Sequence, residues 1–198
     1  MTQRKERADA LRNREAVLAA ADDLFARSQR PRSVSMDDVA AAAGVGKGTL
    51  FRRFGDRTGL IQALYEARIQ PLRNAVDSGP PPLGPSAPPH ERVRALLDAV
   101  LRFKLDNRHL ALALEEACSG SPYRAEHYTW WHRTLQDTLR QIPSVPSGDF
   151  TAHALLAATR ADLVEHLAGQ ELMTAERMRS ELATYVSKVL AGDHDNEG

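Results

Sequence analysis

Four cations, Lys47, Arg52, Arg53 and Arg57, stand within eleven positions of one another, with Thr49 and Phe51 interleaved. A single exposed arginine is as readily a solvated surface charge. Four cations with a hydroxyl and a ring among them have the chemistry to meet phosphate oxygens and base edges. Leu50 and Phe54, four apart, share one face of a short helix spanning Lys47 to Phe54. That spacing leaves the polar and basic residues to the other sides.

The residues before this helix explain how it would be held. Ser35 precedes a helical run and has an acid, Asp38, three positions on, which is a capping-box pattern. Val34 and Val39 then fall at the positions of a hydrophobic staple. Ala40 to Ala43 are small enough for a second helix to approach closely, and Gly44 suits the left-handed residue that ends the first. Two helices joined by a glycine-containing turn, the second with a basic exposed face, form the layout of a DNA-reading helix-turn-helix.

Length and composition set the frame. The chain has 198 residues and is 42% apolar, enough for one large domain or two small ones with a real core. Its net charge is zero, which taken alone argues against nucleic acid. The halves differ: residues 1–60 hold 12 Lys and Arg against 8 Asp and Glu, and residues 61–198 hold 14 against 18. A modestly basic head on an acidic body follows. The single cysteine, Cys118, excludes an intramolecular disulfide framework or a cysteine-rich metal site, and reads most simply as a small buried apolar residue. No run approaches the length of a membrane span. The charged N-terminus lacks the apolar stretch of a signal peptide, so a soluble, cytoplasmic protein is expected.

Periodicity predicts helices throughout. Ala8, Leu11, Val17, Leu24 and Phe25 mark a first helix over 8–28, its start crowded by Arg4, Lys5, Arg7, Arg12 and Arg14. Pro31 breaks the chain ahead of the helix pair. Asp56 can cap a long fourth helix running toward Ala75, with a bend expected near 67–71 because of Pro71. The proline-rich stretch 77–89 reads as a surface loop. Further helices are expected near 90–105, 107–118, 121–141, 149–169 and 174–191, with a break at 143–148 and with Thr174 and Gly192 as caps of the last. No alternating strand pattern and no internal repeat occurs. The expected fold is all-α: an N-terminal three-helix helix-turn-helix head, residues 1–60, joined by a long helix to a helical body, residues 61–198.

The segment GVGKGTLFRRF, followed by a helix opening DRTGLIQALYE, resembles the signature of the TetR-type (TetR/AcrR) transcriptional regulators. The resemblance covers about residues 8–65. It implies a homodimer whose two heads enter successive major grooves of a pseudo-palindromic operator, and a small effector bound in the body that moves the heads apart. It assigns Ser35 and Met36 to the DNA backbone and Lys47 to base reading. Gly48 would allow close backbone approach, and Thr49 would meet phosphate or a thymine methyl. Arg52 would read a base or clamp a phosphate, and Arg53 clamp one. Two positions depart from the family pattern. Phe51 replaces the commoner tyrosine, leaving apolar contact only, and Arg57 stands where a phosphate-binding lysine is usual.

For the body, residues 121–132 concentrate both tryptophans, two tyrosines and two histidines. They read either as core or as the wall of an effector pocket, for which Phe103, His109, Tyr123, His127 and Trp131 are the candidates. His127 and His132 lie five apart and so on different helix faces, and together with Glu116 and Glu126 they match no strong ligand pattern; neither a metal site nor a cofactor is expected. Leu155, Leu156, Thr159, Leu163 and Leu167, with Met178, Leu182, Tyr185 and Val186, form apolar stripes on the last two helical runs. The resemblance places the dimer interface there. One body is not expected to use all of them for its own core.

An effector-responsive repressor is the leading functional expectation. An all-helical enzyme would need convergent acid, base or nucleophile groups, and Ser119-Gly120-Ser121 is an ordinary turn. A helical protein-binding adaptor is the remaining alternative. Neither accounts for the basic helix.

Overall fold

The computed structural model describes residues 2–27, 33–117, 123, 125–145 and 148–191, all in helices and the turns between them. Pro31, Cys118 and Gly192, singled out above, lie outside the described residues. The chain divides into two compact units, one of Met1–Arg68 with His109–Ala117 and one of Ile69–Arg108 with Cys118–Gly198.

In the first unit, α1 (Thr2–Arg27) packs against α2 (Met36–Ala43), which packs against α3 (Lys47–Phe54). Its buried residues include Val17, Leu18, Ala21 and Phe25 from α1, Met36, Val39 and Ala40 from α2, and Leu50 from α3. Leu60, Ile61, Leu64 and Tyr65 from the start of α4 (Arg57–Ser78) are buried as well. An ion pair between Arg68 and Asp22 links α4 to α1. The helix ends are fixed by short-range chemistry. The capping box forms in full: the Asp38 amide donates to Ser35 Oγ at 3.2 Å, and the Ser35 amide donates to Asp38 Oδ2 at 2.9 Å. Gly44 takes φ 64°, and the amides of Gly44 and Val45 reach back to the carbonyls of Ala41 and Ala40. This is the paired closure that satisfies the last carbonyls of a helix. Asp56 caps α4 through the Gly59 amide at 2.9 Å. Gly59 itself must be glycine, since a Cβ would fall 2.0 Å from the Phe54 carbonyl oxygen.

Helical residues in α4 continue through Pro71 to Ser78 without a break. Ala67 and Pro71 are both exposed, so water can take the carbonyl that loses its amide partner. The proline-rich loop that follows is pinned by Arg92, whose guanidinium donates to the carbonyls of Leu83 at 3.0 Å and Val76 at 3.1 Å. Burial lowers the pKa of Arg92, an effect partly offset by Asp77.

The second unit is organised on α5 (Pro89–Asp106), whose Val93, Leu96, Leu97, Val100 and Leu101 recur at three- and four-residue steps and are all buried. It packs against α7 (Glu126–Leu139), α9 (Ala161–Gly169) and α10 (Ala175–Ala191), and α7 packs in turn on α8 (Gly148–Ala157). Arg179 of α10 grips Asp98 of α5 through two bonds of 2.6 and 2.9 Å. Thr174 caps α10 by accepting the Arg177 amide. The remaining helix, α6 (Arg108–Ala117), belongs to the first unit from His109 onward.

The run expected as one helix over 149–169 is two, α8 and α9. Thr159 is buried and turns its hydroxyl back on the Leu156 carbonyl at 2.9 Å, while turn bonds replace helical ones at the amides of Thr159 and Arg160. Asp162 then starts α9, accepting its own neighbour's amide, Leu163, and both arms of Arg160. A serine or threonine bonding backward in this way competes with the helical ladder.

Candidate nucleic-acid interface and the body clusters

On α3, Leu50 is completely buried and anchors the helix, while Lys47, Gly48, Thr49, Phe51, Arg52 and Arg53 are exposed together. Phe51, at 40% exposure, presents a large ring to solvent inside a polar face. Such a ring is a candidate for contact with sugar or a thymine methyl. Lys47 is held by Asp37 of α2, Nζ to Oδ2 at 2.7 Å, with both side chains well exposed. A pair so open to water contributes little and can be exchanged for a phosphate or base. Ser35 is exposed at the start of α2. The Met36 side chain is buried in the head, so the part of Met36 open to a DNA strand is its main chain. Arg57 is half-buried, donating to the Val34 carbonyl at 3.0 Å and lying over the Phe25 ring at 5.6 Å. It helps tie α1, α2 and α4 together, a duty its sequence position did not suggest.

Of the body candidates, His109 belongs to the first unit and the other four to the second. Trp131 is buried beside Trp130, at 4.6 Å between ring centroids, and packs in the core. Phe103 and His127 are half-buried, and Tyr123 is exposed. Of the apolar stripes, Leu155, Leu156, Thr159, Met178, Leu182 and Val186 are buried within the chain's own body. Leu163, Leu167 and Tyr185 retain exposed surface. Between α5, α9 and α10 runs a groove of about 410 Å³, with Leu101, Val164, Leu167 and Leu182 along it and Arg177, Glu181 and Tyr185 among its polar groups.

A cluster that sequence reading passed over joins α7 to α8. His132 Nε2 lies 3.3 Å from Asp149 Oδ1, and the His132 and His153 rings stack at 3.9 Å between centroids. Tyr128 bonds His153 Nδ1 at 2.6 Å, and Tyr123 meets the Tyr128 ring edge-on at 5.1 Å. Burial pushes the Tyr128 phenol up to about 12, with Tyr123 adding to the shift and Arg160 opposing it. The available signal was Asp149 and His153 four apart on one helix, a spacing that puts both on one face.

Among the described residues the secondary structure is all helical, and a capped α2 leads into an α3 with a basic outward face, the layout of a DNA-binding helix-turn-helix. Residues 17–64 match the family described as bacterial regulatory proteins, tetR family. An HTH-type transcriptional regulator of Staphylococcus aureus (strain MRSA252) is 23% identical over 91% of this chain and 95% of its own length. A transcriptional regulator from Rhodococcus sp. Rha1 shares the fold with a TM-score of 0.69 at 19% identity, covering 90% of this chain and 96% of that one. Thermus thermophilus FadR, a TetR-family transcriptional repressor solved in complex with lauroyl-CoA, does so at 0.61 and 18% identity, over 93% and 97%. The likeness to the tetR family of bacterial regulatory proteins thus rests on the head, residues 17–64. Among the described residues no helix is long and apolar enough to cross a membrane.

Proposed function

We propose that this regulator is a cytoplasmic repressor that binds a palindromic operator as a homodimer and is released by a small molecule. The observation that carries the reading is the division of α3: Leu50 is wholly buried while Lys47, Gly48, Thr49, Phe51, Arg52 and Arg53 all face outward. No packing need of the head accounts for that exposed set. Lys47 reads a base and Thr49, Arg52 and Arg53 hold phosphates or base edges, with Ser35 and the backbone of Met36 against the DNA strand. Arg57 acts mainly by holding the pair in position. Residues 1–60 carry this work, and residues 61–198 carry effector binding and dimerisation.

Two copies meet through α9 and α10. The exposed parts of Leu163, Leu167 and Tyr185 and the apolar groove beside them support that face, with Met178 and Leu182 lining it from within. The effector enters the second unit near Phe103, Tyr123 and His127. The bound lauroyl-CoA of the Thermus relative supports a small-molecule effector as a class without fixing its chemistry here. No catalytic role is assigned.

Selection of bound duplexes from a random-sequence pool tests the reading. The expected product is an inverted repeat with half-sites one helical turn, or a multiple of it, apart. A pool with no enrichment over non-specific binding would leave the chain without an operator-reading role.

A further inference from the structure

We propose that His132, Asp149 and His153 form a binding site for a divalent first-row transition-metal ion between α7 and α8. Each offers one ligand atom, and the three atoms all lie within 4.8 Å of one another. One pair is already at coordination spacing. Two donors bound to one tetrahedral ion at about 2.0–2.1 Å stand about 3.3 Å apart, and His132 Nε2 is 3.3 Å from Asp149 Oδ1.

The surrounding groups suit this use. With the Tyr128 oxygen accepting from His153 Nδ1–H, the other ring nitrogen keeps its lone pair for the ion. Ligating histidines are commonly oriented in this way through the second nitrogen. Gln136 donates to Asp149 Oδ1 at 2.9 Å and steadies the carboxylate. The nearby cation, Arg160, is neutralised by the two bonds it makes to Asp162, at 2.9 and 2.7 Å. Two imidazoles and one carboxylate favour zinc, nickel or copper over magnesium or calcium, which take oxygen ligands. Asp149 is exposed, so water can complete the sphere and the ion can exchange with solvent. Bound there, it would staple α7 to the first turns of α8. The site stands on its own geometry and does not depend on the operator-binding role of the head.

Metal binding by the full-length protein tests it. Titration with zinc chloride against a chromophoric chelator should find one competing site per chain. His153→Ala and Asp149→Asn should each weaken it by more than the roughly 10–100-fold expected for loss of an outer partner, and Tyr128→Phe by an amount within that range. Asp149→Asn, at an exposed position, guards against a mere failure to fold, and His166→Ala, at the separate His166–Glu171 pair, should change nothing. Equal zinc binding by wild type, Asp149→Asn and His153→Ala would overturn the site, as would the absence of any binding at micromolar zinc. Cobalt(II) should give the intense visible bands of a tetrahedral ion, and lose them in His132→Ala; a pale octahedral spectrum in wild type would also count against it.

Discussion

At Gly48 the outer face of α3 is bare: an added Cβ would meet nothing within 4 Å. Nothing in the head therefore requires glycine there, and alanine suits a helix interior better by about 0.5–1 kcal/mol. Gly48→Ala should stabilise the isolated protein by that amount in urea denaturation and weaken operator binding, because the methyl group occupies space the DNA backbone needs. Fluorescence anisotropy with a labelled operator reads the second effect. Unchanged or tighter binding would remove Gly48 from the interface. The opposite case, Gly59, has no room for a side chain inside the head itself. Sequence alone makes the two glycines look alike, since each stands in a helix beside polar residues. Their roles separate only when the Phe54 carbonyl is seen against one and open space against the other. Lys47 is similar: its type and place marked it as a reader, but its exposed partner Asp37, ten positions away on another helix, was not legible.

At the scale of elements, the Ser35–Asp38 box makes α2 sensitive to acid. The Ser35 hydroxyl, then the Ser35 amide, hold the Asp38 carboxyl below its usual 3.8, with slight burial opposing. A carboxyl lowered in the folded state adds stability above its unfolded pKa, and that contribution is lost as pH falls through the folded value. Asp38→Asn keeps an acceptor oxygen but no titration. It should be less stable than wild type at neutral pH and should converge with it as pH falls through the lowered folded-state value, as followed by urea denaturation at several pH values. A constant gap at all pH values would show that charge plays no part in the cap. Caps such as Ser35, Gly44, Asp56 and Thr174 were legible because their chemistry is local, closing over three or four residues. The stripe over Leu155, Leu156, Met178 and Val186 was legible only as buried, not as buried by what. Periodicity states that a helix face is covered, and the cover comes from elsewhere in the chain, α7 packing on α8 and α5 on α10. The interruption at Thr159 was hidden for a related reason: Ala158 and Ala161 favour helix, and a single back-bonded hydroxyl decides against it.

For the whole molecule, zero net charge conceals the property that matters to DNA. The basic surplus lies in residues 1–60, and Lys47, Arg52 and Arg53 are exposed on α3. With Phe51 in place of tyrosine, no hydroxyl at that position can add an uncharged phosphate contact, so more of the affinity rests on cations. A dimer engaging Arg52 and Arg53 on each head neutralises about four phosphates, and each contributes about −0.9 to the slope of log K against log salt concentration. The expected slope is about −3.6, equivalent to roughly a 150-fold loss of operator affinity between 50 and 200 mM salt. Arg53→Ala should make the slope shallower by about 2, one contact per head, and lower affinity alike for operator and unrelated DNA. Arg57→Ala should behave otherwise: the loss of its bond to Val34 loosens the head, so thermal stability falls while the slope changes less. Equilibrium binding measured across a salt series for the three proteins separates the roles. A wild-type slope shallower than about −2 would mean that the exposed arginines of α3 are not phosphate clamps and that the head holds DNA chiefly through uncharged groups.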